Sequence, residues 1–297
     1  MEIGTEAYRA ILEALPTGAY LVDPDRRIIL WSKGAEELTG FHAQEVVGRR
    51  CGDDILMHCD DTARCLCGDA CPLQETMHDG NPRTTDAFLL HKEGHRVPVR
   101  IHAAPLHDRH GEIVGAIECF DRRVIWPTAD PAASRLVSFA VQPKALPERD
   151  TVEMLLAEYL QNYEAFGIPF GVICIAVDSL DSVRRTKGWE AVHAVFLATG
   201  RTFAGALGPN DMIGRWAEEQ FIGVIAGCST ASLKRAAYSV NRLVQSMAVR
   251  WWGDRIPVDV SVGGTIVQTG DSLESLVRRA EQALQSSLAE SEHIFIV

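Results

Sequence analysis

No apolar run in this 297-residue chain approaches the roughly 20 residues needed to span a bilayer, so no membrane helix is expected. The stretch Met1 to Ala10 has no apolar core and carries three charged residues, so no secretory leader is expected and a cytoplasmic location is. Basic clusters are missing too. The 29 Lys and Arg face 40 Asp and Glu, a net charge of −11, and only short pairs such as Arg49-Arg50 and Arg278-Arg279 occur. Such a chain repels nucleic acid and anionic lipid, and neither is an expected partner. No heptad is sustained, which excludes a long signalling coiled coil.

What is present is enough for two cores. Hydrophobic residues make up 46% of the chain and charged residues 23%, over a length that suits two domains. The first 122 residues predict short strands and helices of an α+β fold. A helix is expected over 8–15, strands over 19–22 and 28–31 around the Asp23-Pro24-Asp25 turn, and helices over 33–40 and 43–48, each stopped by glycine. A helix over 72–78 and strands over 84–91, 96–105 and 113–120 follow, the strands joined by polar glycine-bearing turns. Pro127, Pro131, Pro143 and Pro147 mark residues 123–149 as a linker. From residue 150 the pattern becomes α/β. Asp150 with Glu153 predicts a capped helix whose stripe is Leu155, Leu156, Tyr159, Leu160 and Tyr163. Phe170 to Val177 is a continuous apolar run, as in a central strand buried on both faces. Helices over 189–206 and 232–250, a hairpin over 212–226, a strand over 258–267, a helix from Asp271 and Glu274 to Leu288, and a last strand over 293–297 complete an α/β sandwich.

Two stretches of the first half carry a resemblance. One is Leu15-Pro16-Thr17-Gly18 with Leu21-Val22-Asp23, Ile28 to Trp31 and Ala35 to Gly40. The other is His91 to Gly94 with Val97-Pro98-Val99 and Pro105 to Phe120. Together they resemble a PAS domain, spanning roughly residues 6 to 122. The resemblance implies an antiparallel sheet, short helices around a pocket, and a sensory role whose ligand it does not name.

In the second half, Gly214-Arg215-Trp216-Ala217-Glu218-Glu219-Gln220-Phe221, Val258 to Gly264 and Ser275 to Leu284 resemble a GGDEF domain, over residues 150–297. The family fold implies joining two GTP molecules into cyclic di-GMP across a dimer, with magnesium. The family's hairpin is Gly-Gly-Asp/Glu-Glu-Phe, whereas here Ala217 and Glu218 replace the glycines and Gln220 replaces a carboxylate. A side chain at those positions obstructs the approach of nucleotide phosphates. By the same resemblance Asp178 and Glu219 keep the two magnesium-ligand positions, the guanine-reading positions fall on Arg184 and His193, and the phosphate-binding lysine falls near Leu288. The product-site motif reads Gly208-Pro209-Asn210-Asp211 and lacks its arginine. Glu218, Glu219 and Gln220 are therefore expected to be vestigial, with no catalytic residue, no bound magnesium and no GTP.

Five of the eight cysteines fall within Cys51–Cys71, where a PAS domain has its pocket-side helices. The segment resembles a cysteine-bearing variant found in some PAS domains fused to GGDEF domains, whose retained positions correspond to Cys51, His58, Cys67 and Cys71. Thiolate and imidazole are borderline-soft ligands suited to zinc or iron. Cys67 and Cys71 can meet in a turn, and Cys51 and His58 can complete a tetrahedron. Cys59 and Cys65 are alternates; in place of His58 they would allow an iron–sulfur cluster. A thiol–disulfide switch and inert thiols are the rival readings. Arg64 would favour thiolate, but Asp53, Asp54, Asp60, Asp61 and Asp69 oppose it unless a cation is present. Haem is disfavoured, because His78, His91, His95, His102, His107 and His110 show no axial spacing. The expectation is a homodimeric sensor and regulator that docks other signalling proteins. An atypical active cyclase and a non-catalytic GTP receptor are the alternatives.

Overall fold

The structure is a computed structural model that describes residues 5–68, 70–123, 146–208, 210–288 and 293–297; most of the expected linker, 124–145, lies outside the described residues. The chain divides into two units, Met1–Arg123 and Val124–Val297.

The first unit runs α1 (Thr5–Ala14), β1 (Gly18–Val22), β2 (Ile28–Trp31), α2 (Lys33–Thr39), α3 (Ala43–Val46), α4 (Pro72–Asp79), β3 (Arg83–Leu90), β4 (Arg96–His107) and β5 (Ile113–Arg122). Its five strands form one antiparallel sheet in the order β2-β1-β5-β4-β3. The β1–β2 turn is set by Asp23, whose Oδ1 accepts the N–H groups of Asp25 and Arg27 at 3.0 and 2.8 Å. Ser32 caps α2 by accepting the Ala35 N–H, and Gly40 ends it at φ 74°. The helices lie over one sheet face and enclose Tyr20, Trp31, Leu56, Leu89, Ile101 and Phe120.

The second unit runs α5 (Arg149–Phe166), β6 (Phe170–Val177), α6 (Leu180–Lys187), α7 (Trp189–Ala206), β7 (Met212–Ala217), β8 (Gln220–Ala226), α8 (Thr230–Gln245), β9 (Val249–Trp251), β10 (Asp254–Ile256), β11 (Val260–Ile266), α9 (Leu273–Ser287) and β12 (Ile294–Ile296). The main sheet has the order β12-β11-β6-β8-β7, with only the β11–β12 pair parallel. The apolar run of β6 is central, and its alternate residues feed two cores. Ile173, Ile175 and Val177 meet α7 and α8 on one face. Phe170, Val172 and Cys174 meet α5 and α9 on the other.

Several local expectations are corrected. Helix α5 starts at Arg149 after Glu148, so Asp150 sits in its first turn, favourable to the helix dipole, and does not cap it. Helix α9 is capped by a reciprocal Ser272–Ser275 pair, which leaves Asp271 to grip Arg279 at 2.7 and 2.9 Å. Helix α8 stops at Gln245, because Val249 and Trp251 are drawn into a β9–β10 hairpin that turns through Trp252 at φ 52° and Gly253 at φ 91°. Helix α3 ends at Val46, and α6 has no counterpart in the sequence reading.

Gly263 is where β11 meets α9 most closely. A Cβ there would run into the backbone of Ala283 and Leu284. Gly263→Ala is expected to lower the urea-unfolding stability of the second unit by about 2 kcal/mol or more. An unchanged midpoint would contradict this packing.

Candidate functional site

The cysteine segment is laid down by backbone pairing along β3. Cys59 exchanges hydrogen bonds with Phe88 at 2.9 and 2.8 Å, and Leu90 N–H donates to Leu56 O at 2.7 Å. The segment thereby covers a strand edge that would otherwise be open. Arg26 pins the other side, accepting the Cys51 N–H at 3.2 Å and donating Nη1 to the Cys67 carbonyl at 3.2 Å. Arg96 fixes the middle through the Met57 carbonyl at 2.6 Å. The result buries Cys51, Ile55, Leu56, His58, Cys59 and Cys71 and leaves Cys65 exposed. All eight cysteines are thiols.

At the centre of this unit sit three polar side chains in an apolar surround. Tyr20 on β1 is 0% exposed, Glu118 on β5 is 1% exposed, and His58 of the segment is 5% exposed. Tyr20 and Glu118 are direct cross-strand partners. His58 Nε2 lies 3.6 Å from Glu118 Oε1. The Tyr20 hydroxyl, His58 Nε2 and Glu118 Oε1 are all buried without a hydrogen-bond partner. Burial, helped by nearby Arg96, pushes the imidazole down to about 3. Burial pushes the Glu118 carboxyl up to about 8. The pair is therefore held neutral and is not a salt bridge.

The thiols gather around this trio. Cys51 is pushed up to about 12, first by burial and then by Glu118 and Cys71 beside it. Cys67 is raised by burial and by Cys65, Cys51 and Cys71, while its Sγ accepts the His58 N–H at 3.1 Å. Cys51, Cys67, Cys71 and His58 thus share one region of the domain, and none of them belongs to a set of three donors within 4.8 Å of one another. The alternates Cys59 and Cys65 pair across a small hairpin. Among the described residues, the group of three at that spacing is His91, Glu93 and His95 at the β3–β4 turn. There the two rings stack at 4.2 Å with 26° between planes, and His91 Nδ1 accepts the Glu93 N–H.

The His58 imidazole, the Glu118 carboxyl and the nearby thiols are donors of the kinds that a soft-to-borderline cation takes. The sequence reading missed Glu118 and Tyr20. The signal for Glu118 was its alternation with Ala116 and Phe120, which puts a carboxylate on the inward face of β5.

In the second unit the β7–β8 turn carries Glu218 and Glu219 between paired Ala217 and Gln220. The Glu219 carboxylate is ion-paired with Arg184 of α6. That guanidinium also meets Asp181 at 3.0 Å and lies 4.6 Å from the Trp189 ring centroid. Asp178, at the end of β6, accepts the Ser261 hydroxyl at 2.8 Å, with His293 Nδ1 at 3.8 Å. Its carboxyl is raised by burial. Both carboxylates expected as magnesium ligands have partners within the chain. His193 is exposed on α7 and Leu288 is exposed beyond α9. Asp211 accepts the Gly208 and Ala226 N–H groups at 2.7 and 2.9 Å, a structural role; Pro209 lies outside the described residues.

Residues 16–121 match the PAS domain family, and residues 145–293, half of the chain, match the diguanylate cyclase GGDEF domain family. A curated relative, an uncharacterized signaling protein of Caulobacter vibrioides, is 29% identical over 140 residues; the match covers 46% of this chain and 17% of that relative's length. Among solved structures, the GGDEF domain of DgcB from Caulobacter crescentus in complex with c-di-GMP is 17% identical at TM-score 0.48, covering 51% of this chain and 91% of that one. A PAS domain from Colwellia psychrerythraea is 19% identical at TM-score 0.34, covering 40% of this chain and 95% of that one. The antiparallel sheet with short helices and the mixed sheet between helices have the architectures that these two families imply. By the match of its second half, the chain belongs to the diguanylate cyclase GGDEF family, with a PAS domain preceding the GGDEF domain.

Proposed function

We propose that this signalling protein senses a bound metal centre through its PAS domain and transmits that state through a GGDEF domain that does not make cyclic di-GMP. The observation that carries the second half of this reading is the Arg184–Glu219 ion pair. Cyclisation of GTP depends on metal ions that neutralise developing phosphate charge. Here a fixed guanidinium neutralises Glu219, and Ser261 with His293 engages Asp178. Admitting magnesium would require breaking a half-buried ion pair and leaving Arg184 beside an incoming cation. Ala217 and Glu218 add side chains and a negative charge where phosphates would approach. Output then passes by homodimerisation or by docking to another signalling protein.

The first half rests on the gathering of Cys51, His58, Cys67 and Cys71 in the PAS interior. Burial raises the Cys51 and Cys67 thiols, which makes them slow nucleophiles for a thiol–disulfide switch.

Two outcomes are expected. With GTP and magnesium the full chain forms no cyclic di-GMP, its turnover lying at least about 10³-fold below the ~1–10³ s⁻¹ of ordinary enzymes by product chromatography. Product formed at an ordinary rate would overturn the non-catalytic reading. Anaerobically purified wild type carries near-stoichiometric metal, and the Cys67→Ala/Cys71→Ala variant loses it by elemental analysis. Equal, near-zero metal in both would remove the metal reading.

A further inference from the structure

We propose that Glu118 on β5 is itself a ligand of the cation in the PAS interior, so that the site takes a single zinc or iron(II) ion and not an iron–sulfur cluster. This rests on the metal reading above and deepens it. The geometry that points there is the His58–Glu118 pair. Both side chains are more than nine-tenths buried, and Nε2 and Oε1 stand 3.6 Å apart with no hydrogen-bond partner on either atom. Donors ~2.0–2.1 Å from a tetrahedral ion stand ~3.3–3.4 Å from each other. These two atoms are therefore close to the edge length of a coordination tetrahedron before any ion arrives. A hydrogen-bonded pair would be nearer and a repelling pair farther.

The surroundings offer thiols as the remaining donors. Cys51 lies beside both Glu118 and Cys71. The Cys67 sulfur is already held by the His58 backbone. Two thiolates from this group, one imidazole and one carboxylate make a mixed sulfur, nitrogen and oxygen shell. Zinc and iron(II) accept such a shell, whereas clusters are held by thiolates. As the ion binds, each coordinating thiol and the Glu118 carboxyl release their protons to solvent and no electron is transferred. Tyr20 stands directly opposite Glu118 in the sheet.

The placement has a consequence for signalling. His58 and the thiols belong to the segment that covers the sheet, and Glu118 belongs to β5 within the sheet. An ion shared by both ties the segment to the strand that ends at Arg122, next to the unit's boundary at Arg123.

The test uses the full chain, stripped of metal and titrated anaerobically with zinc chloride and cobalt chloride. Wild type, Glu118→Gln and Glu118→Cys are compared by affinity, cobalt absorption and the rise in Tm on metal addition. Wild type is expected to bind one ion with a sulfur-to-cobalt band and a metal-dependent rise in Tm. Glu118→Gln is expected to keep the metal-free Tm, to lose at least ~10-fold in affinity, as for loss of a supporting group at a metal site, and to show an altered cobalt spectrum. Glu118→Cys, which restores an anionic donor, is expected to regain affinity with a stronger sulfur band. If wild type binds and Glu118→Gln matches it in affinity and spectrum, Glu118 is not a ligand, while the metal reading stands. If wild type binds neither ion, both fail. Acid-labile sulfide in the anaerobically isolated protein overturns the single-ion assignment.

Discussion

Polar atoms in an apolar core need partners, and the centre of the PAS domain gathers a hydroxyl, an imidazole and a carboxyl. The Tyr20 hydroxyl, His58 Nε2 and Glu118 Oε1 are enclosed by Trp31, Ile101, Phe120 and their neighbours. An unsatisfied buried polar atom costs ~1–3 kcal/mol. Left unpaired, such atoms would offset part of the ~5–15 kcal/mol by which domains are stable. Each atom is held by regular structure on at least one side: Tyr20 and Glu118 by paired strands, His58 by a segment hydrogen-bonded to β3. A cation is the partner we propose for this imidazole, this carboxyl and the nearby thiols together.

The GGDEF domain solves the opposite problem. Its two retained carboxylates already have partners, Arg184 for Glu219 and Ser261 with His293 for Asp178. Charge that the family fold would offer to magnesium is spent inside the protein. The same stretch of β6 and the same β7–β8 hairpin persist because they hold the sheet together. Ile173, Ile175 and Val177 pack one face of that sheet and Val172 and Cys174 the other, whatever happens at its end. A fold kept by its core and a site closed by its own side chains suit a module that transmits and does not turn over substrate.

Much of this was legible in the sequence where one physical signal dominates. The continuous apolar run of β6 marked a central strand, and β6 lies between β11 and β8 in the sheet. Boundaries failed where several residues compete for one role. Ser272 displaced Asp271 as a cap because Asp271 has a better use against Arg279, which lies eight residues further on. The β9–β10 hairpin was hidden because Ala248 to Trp251 continues the apolar pattern of α8, and only tertiary pairing distinguishes them. In the site, the cysteines announced themselves by clustering, but Glu118 did not. A lone carboxylate in a strand reads as solvent-facing until the inward face of β5 is known. Arg184 was legible as a lost guanine contact, whereas its grip on Glu219 depends on α6, a helix too short to stand out in the pattern.

X-ray absorption at the metal edge of the anaerobically isolated full chain addresses the central claim without substitution. The account predicts one first shell that mixes sulfur at ~2.3 Å with nitrogen or oxygen at ~2.0 Å, and no second metal nearby. A shell of sulfur alone with metal–metal scattering, or no metal in the protein, would contradict it.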